Sequence, residues 1–82
     1  MPLYFFHLRE GDDVLRDGDG REFDDVAAVA KAALVEARAI IAEEARDCRI
    51  VLDKHIDVEN DYGGIVHRLS FVDAIEIVPP NG

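Results

Sequence analysis

The chain opens with a segment whose apolar side chains suit a β-strand with two apolar faces. Residues 3–9 combine aromatic side chains with alternation, a pattern typical of a strand. Because side chains alternate between the two sides of a sheet, one face is predicted to carry Tyr4, Phe6 and Leu8. The opposite face is predicted to carry Leu3, Phe5 and His7. Such a strand is either covered on both sides or has one side free for a partner.

Two short strands are predicted directly after the first. Turn-forming residues at 11–13 and 18–20 flank residues 14–17, which favour a second strand, and residues 21–23 extend the sheet. Strands joined so closely are expected to pair as an antiparallel hairpin.

A long amphipathic helix is predicted from about residue 25 to about residue 46. Asp24 and Asp25 supply an N-cap and a negative charge at its start, and its interior contains neither Gly nor Pro. Apolar residues recur every three or four positions in one stripe: Val26, Val29, Ala30, Ala33, Ala37, Ile40 and Ile41. The small residues in the middle of the stripe allow the helix to lie close to a sheet.

The second half of the chain predicts another hairpin. Residues 55–59 and 65–69 resemble strands around a turn at 60–64. Residues 47–54 are expected to form an irregular connection that packs Ile50 or Leu52 into the core. Residues 71–78 indicate a helical turn followed by an edge strand, and Pro79-Pro80 ends regular structure before a mobile tail at residues 79–82.

This order predicts a single α+β domain at residues 1–78. Its antiparallel sheet has four to five strands in ββαββ order, with one long helix packed on one face. A single helix covers only one of the two apolar sets of the first strand. We therefore expect a homodimer that forms through the uncovered face or a sheet edge, with Leu3, Phe5 and His7 as interface residues.

The charge of the chain favours some partners over others. Its 82 residues include 18 acidic and 9 basic side chains, for a net charge of −9, and the basic residues form no stripe. Direct nucleic-acid binding is not expected, because it depends on clustered Lys and Arg. The acidity favours solubility or attraction to a basic protein partner.

The remaining composition points to a cytoplasmic location. The sequence has no apolar stretch of membrane-spanning length and no secretory signal, so no membrane partner is expected. The single cysteine, Cys48, cannot form an internal disulfide, which suits a reducing compartment.

No set of residues forms a catalytic or cofactor signature, so we expect neither an enzyme nor a bound cofactor. His7 and His67 would approach each other if the first and last strands were neighbours, and would then supply two ligands of a metal site. The Asp-Gly-Asp-Gly run at residues 17–20 fails the spacing of a calcium loop and favours a turn. Cys48 is expected to be an inert thiol at the end of the helix.

The opening residues 1–8 (MPLYFFHL), the Gly turn and the acidic cap before an Ala-rich helix resemble a family of short uncharacterised bacterial proteins. Members of that family begin with a nearly identical Tyr-Phe-Phe-His-Leu strand. Many end with a strand followed by a pattern like Phe71, Asp73, Ala74 and Ile75 here. The resemblance covers nearly the whole chain and is looser at residues 47–54. It implies a domain of unknown function, with no activity and no catalytic residues to transfer.

A weaker similarity concerns architecture alone. The hairpin, the acidic cap and the Ala/Glu-rich helix are similar to those of HicB-like antitoxins, which bind a small basic toxin, although the DNA-binding segment of those proteins has no counterpart here. The leading hypothesis is a non-enzymatic interaction or regulatory module that acts as a homodimer. The alternatives are an antitoxin-like inhibitor of a small basic protein, and a small metal-binding protein that uses His7 and His67.

Overall fold

The computed structural model describes residues 2–81 and forms an α+β fold, as predicted. The strands are β1 (Leu3–Glu10), β2 (Asp13–Leu15), β3 (Arg21–Glu22), β4 (Lys54–Asn60) and β5 (Ile65–Ser70). The helix α1 (Val26–Arg46) separates β3 from β4, and a 3₁₀ turn (Phe71–Asp73) follows β5. Met1, at the start of the predicted domain, and Gly82, at the end of the predicted tail, lie outside the described residues.

The sheet is antiparallel, with strands in the order β2-β1-β4-β5. β3 pairs with the same edge of β1 as β2 does, but at residues 3–4, whereas β2 pairs with residues 8–10. β1 and β5 are therefore not neighbours, because β4 lies between them. The predicted second strand at residues 14–17 is shorter than expected and ends at Leu15, because the side chain of Asp17 binds the β1 backbone where a strand would otherwise pair.

The helix begins where its capping residue predicts. The Asp25 side chain accepts a hydrogen bond from the Ala28 backbone N–H at 2.8 Å, which satisfies one of the free donors of the first turn. Cys48, just after the helix, has a left-handed backbone with a φ of 64° and is exposed. No helix formed by the described residues is long and apolar enough to cross a membrane.

One side of the sheet packs against the helix and forms the core. The helix contributes the buried residues Val29, Ala33, Ala37 and Ile41. The sheet and the 3₁₀ turn contribute Tyr4, Phe6, Ile56, Val58, Phe71 and Ala74. The helix therefore covers the face of Tyr4 and Phe6. Val26, which the periodicity placed in the buried stripe, is instead half exposed at the first turn of the helix.

Of the two predictions for the connecting segments, the first is confirmed and the second is confirmed only in part. Of the two candidates in residues 47–54, Leu52 packs against the core, whereas Ile50 is exposed. The 3₁₀ turn confirms the predicted helical turn after β5, but no edge strand follows it. Phe71 and Ala74 are fully buried, and Arg38 Nε donates to the Ala74 carbonyl at 2.7 Å, so the chain leaves the sheet beside the helix.

Candidate interaction face

The side of the sheet turned away from α1 carries most of the residues singled out by the sequence; we call it the open face. Side chains that are opposite each other in an antiparallel register share a face. The register therefore sets three rows across β1, β4 and β5: Phe5, Glu59 and Ile65; His7, Asp57 and Arg68; Arg9, His55 and Ser70. One end of this face is apolar and the other is charged.

Asp57 lies at the centre of the charged half and is fully buried, although no helix covers it. Arg68 approaches it as a fork, with Nε 2.5 Å from Oδ1 and a terminal guanidinium nitrogen 3.1 Å from Oδ2. Arg9 Nε lies 2.6 Å from Oδ2, in an ion pair whose N–H is not aligned for a hydrogen bond. His55 Nε2 is 3.7 Å from Oδ1. The cluster ties the three strands together.

The charge state of Asp57 follows from these neighbours. Burial by itself raises the pKa of the carboxyl group, but the hydrogen bonds and charge of Arg68, with the charges of His55 and Arg9, outweigh burial and lower the pKa. Asp57 is therefore ionised at neutral pH. Arg68 has a raised pKa because it donates to this carboxylate.

Asp17 closes the edge of β1 between β2 and β3. Its carboxylate accepts hydrogen bonds from the backbone N–H groups of Phe6 at 3.1 Å, Asp19 at 3.1 Å and Gly20 at 3.2 Å. Burial raises its pKa, but these backbone hydrogen bonds and the charge of Arg21 lower it overall. Asp17 was predicted only as the end of the second strand and the start of a turn, and this role was missed, although Asp is a turn-forming residue whose side chain binds nearby backbone N–H groups.

His7 is held by the same turn. The Asp17 backbone N–H donates a hydrogen bond to His7 Nδ1 at 3.1 Å. His7 is only 4% exposed, and Nε2 has no hydrogen-bond partner among the described residues, with Glu59 Oε2 3.8 Å away. His7 is therefore part of the folded face rather than a freely exposed contact.

The apolar end of the open face consists of Leu3, Phe5 and Ile65. Leu3 and Phe5 are half-buried, and Ile65 is 46% exposed. The Phe5 ring lies directly on the backbone of Gly20, where a Cβ would come within 2.8 Å of the ring. Gly20 also has a φ of 76°, so both the close approach and the backbone conformation require glycine.

The two histidines of the metal hypothesis do not meet. His67 is opposite Val58, whose side chain is in the core, while His7 is on the open face. A bulge between Val58 and Glu59 also puts His67 and Ile65 on opposite faces, although residues two apart in a regular strand share one face. Among residues 2–81, no three His, Cys, Asp or Glu side chains are grouped so that they could hold a metal ion.

A groove lies on the other side of the sheet, between α1 and the edge formed by β2 and β3. Its volume is about 540 Å³, and Leu8, Leu15 and Ile40 are among its apolar lining residues. Arg21 closes one side of the groove, with its guanidinium 4.1 Å from the centre of the Phe6 ring and 3.3 Å from Glu36. Arg21 and Glu36 thus form an ion pair at the groove.

The acidic side chains are concentrated beside this groove. Eight of the 18 acidic residues lie between residues 10 and 25, a range that runs from the end of β1 through β2 and β3 to the N-cap of α1. Only Arg16 and Arg21 oppose them in that range. We call this segment the acidic edge.

Comparison with known proteins adds a family without a described activity. The model of a domain of unknown function, DUF6894, matches residues 3–72, which include every strand and the helix. No curated protein and no solved structure matches the chain significantly. The match confirms the predicted membership in an uncharacterised family and covers the open face and the Asp17 turn alike: the chain belongs to the DUF6894 family, a domain of unknown function.

Proposed function

We propose that the chain is a non-enzymatic interaction module that forms a homodimer through the open face. The observation that carries this proposal is the composition of that face. Its exposed end carries Leu3, Phe5 and Ile65 beside a single carboxylate, Glu59. Over the three rows, Arg9 and Arg68 balance Asp57 and Glu59. Because the chain as a whole has a net charge of −9, two copies repel each other least where the local charge is balanced.

The proposed contact is centred on Leu3 and Phe5. An uncovered apolar group on a sheet face gains stability when a partner removes it from water. His7 contributes by holding the Asp17 turn, against which the Phe5 ring rests, and by presenting a buried Nε2 atom toward Glu59. A twofold axis through this face would bring the same residues of both copies together.

The carboxylates with resolved shifts support a non-enzymatic role. A general acid or base works best with a pKa near the operating pH, which for a carboxyl group requires an upward shift. Asp17, Asp57 and Glu44 all have lowered pKa values; in Glu44 the main cause is its hydrogen bond with Lys54. These carboxylates stabilise the fold as ionised hydrogen-bond acceptors.

Sedimentation equilibrium of the wild type and two matched variants tests the proposal. Phe5→Asp introduces a charge at the centre of the proposed contact, and we expect it to weaken self-association by about tenfold or more. Val35→Asp makes the same type of change at an exposed position on the helix and should leave association unchanged. Circular dichroism confirms that each variant retains its helix.

Leu3→Asp is a second variant on the same face, for use if Phe5→Asp fails to fold because its ring supports the Gly20 turn. Loss of association in either folded variant, with dimers in Val35→Asp, supports the proposal. A wild type that stays monomeric at high concentration contradicts it, as does a folded Phe5→Asp that dimerises as the wild type does.

The acidic edge favours a second candidate function, binding of a small basic protein as in the antitoxin-like hypothesis. Clustered negative charge speeds association with basic partners and favours them over other partners, and both effects weaken as salt screens the charges. The test is titration with an arginine-rich peptide at low and high salt. The role is supported if binding is tighter at low salt and is weakened by Asp13→Lys but not by Asp73→Lys, which makes the same charge reversal in the 3₁₀ turn after β5. Equal weakening by the two variants would argue against a site at this edge.

A further inference from the structure

β5 leaves one edge of the sheet unpaired. It pairs with β4 along one side, and β4 separates it from β1. On its outer side, no backbone group of residues 65–70 has a hydrogen-bond partner among the described residues. The strand has no Pro and no Lys, two residues that commonly protect free edges. An edge of this kind is a template for an added strand.

The segment Ile75–Val78 has the complementary property. Three of its four residues are β-branched, which favours strands, yet it forms neither helix nor strand. Its backbone makes no hydrogen bond to other backbone groups of the described chain. Ile77 and Val78 are 67% and 75% exposed. Ile75 packs against the core, so the segment is anchored at its start while its backbone lacks a strand partner.

The chain does not bring these two unpaired features together in one copy. Phe71 and Ala74, between β5 and the segment, are both fully buried. The Arg38 hydrogen bond to the Ala74 carbonyl holds the chain beside α1. Folding back along β5 would require these anchors to leave the core.

We propose that Ile75–Val78 of one copy adds as a strand to the β5 edge of a second copy. Charge supports this occupant: the segment contains Glu76 and no basic residue, whereas β5 contains the 60% exposed Arg68 and no acidic residue. Pairing β5 with β5 of the second copy would offer no such contact, because neither strand contains an acidic residue. The inference rests on the self-association proposed above but uses a different surface from the open face.

Hydrogen exchange at different protein concentrations tests this pairing directly. On association, outward-facing amides of β5 should exchange more slowly, because they gain partners. Ile77→Pro removes one backbone donor from the segment, at a position that is mostly exposed, and should abolish this protection. Glu76→Arg should weaken association by about tenfold, as expected when an attractive charge contact becomes repulsive.

Asp73→Arg is the matched control for Glu76→Arg, because it reverses the same charge in the 3₁₀ turn outside the segment. Association that is weakened by Ile77→Pro and Glu76→Arg but not by Asp73→Arg supports the inference. If the β5 amides stay protected from exchange in Ile77→Pro, the inference is overturned and β5 of one copy pairs with β5 of the other. If Phe5→Asp dissociates the dimer and Ile77→Pro leaves it intact, the inference is overturned while the open-face contact stands. A monomeric wild type overturns both.

Discussion

Replacing Asp17 with Ala removes the group that binds the edge of β1. Backbone N–H groups of Phe6, Asp19 and Gly20 then lose their acceptor. The Asp19 donor is exposed and gains water instead, whereas the Phe6 and Gly20 donors are partly buried. Hydrogen bonds to a charged acceptor contribute about 1.5–3 kcal/mol each when they are buried. Because water screens these partly exposed groups, we expect a smaller total loss of roughly 2–4 kcal/mol in the free energy of unfolding.

This loss is large for a chain of 82 residues. At about 0.05–0.15 kcal/mol per residue, the total stability of such a domain is only about 4–12 kcal/mol. A change of 1 kcal/mol shifts the Tm of a small domain by about 4–8 °C, so Asp17→Ala should lower Tm by roughly 10–30 °C. Thermal unfolding followed by circular dichroism measures the shift.

Asp19→Ala is the matched control, because it removes a carboxylate from the same turn that accepts no hydrogen bond among the described residues. Its effect should stay within about 0.5 kcal/mol. Equal Tm values for the two variants would refute the role assigned to Asp17.

The pH dependence gives an independent check on Asp17. Its pKa is lowered below the ordinary value of 3.8, so the folded state favours the ionised form. The resulting stabilisation is complete above that ordinary value and is lost as the pH falls through the lower pKa of the folded state. The Tm difference between the wild type and Asp17→Ala should therefore narrow below about pH 4. A difference that is constant with pH would contradict the carboxylate as the acceptor.

Three further substitutions test other contacts. Asp57→Asn removes the charge shared by two arginines and should lower the free energy of unfolding by about 1–3 kcal/mol at neutral pH, measured in urea. Because the Asp57 pKa is also lowered, the difference between this variant and the wild type should be smaller below about pH 4. Gly20→Ala should cost about 1–3 kcal/mol, because φ is positive and the new Cβ meets an aromatic ring, whereas Gly18→Ala has open space and should be nearly neutral. Asp25→Ala should cost about 1 kcal/mol and reduce helix stability in thermal unfolding, while Asp24→Ala, beside the cap, should cost less.

Local patterns predicted most secondary structure correctly. The helix follows from apolar spacing and an acidic cap, and its observed bounds, Val26–Arg46, agree with the prediction. The alternation in the first strand correctly separated Phe6 from Phe5. These features depend on side-chain direction relative to the neighbouring backbone, which the sequence specifies over a few residues.

Predictions failed where a distant contact competed with local propensity. Residues 75–78 favour a strand, but burial of Phe71 and Ala74 directs them away from β5. Val26 matches the helical stripe, yet it lies at the first turn, where the sheet does not cover it. The bulge in β5 moved Ile65 to the face opposite His67, because one extra residue reverses the alternation.

The sequence by itself determined the fold class, the helix and the two apolar sets of the first strand, because periodicity and capping act locally. Only the tertiary structure decided which set the helix covers, that β4 separates β1 from β5, and that His7 and His67 are on opposite faces. It also brought Arg9 of β1 against Asp57, which pairs with Arg68 within the β4–β5 hairpin far along the chain. Strand order and register depend on contacts between remote residues, and local patterns leave those contacts open.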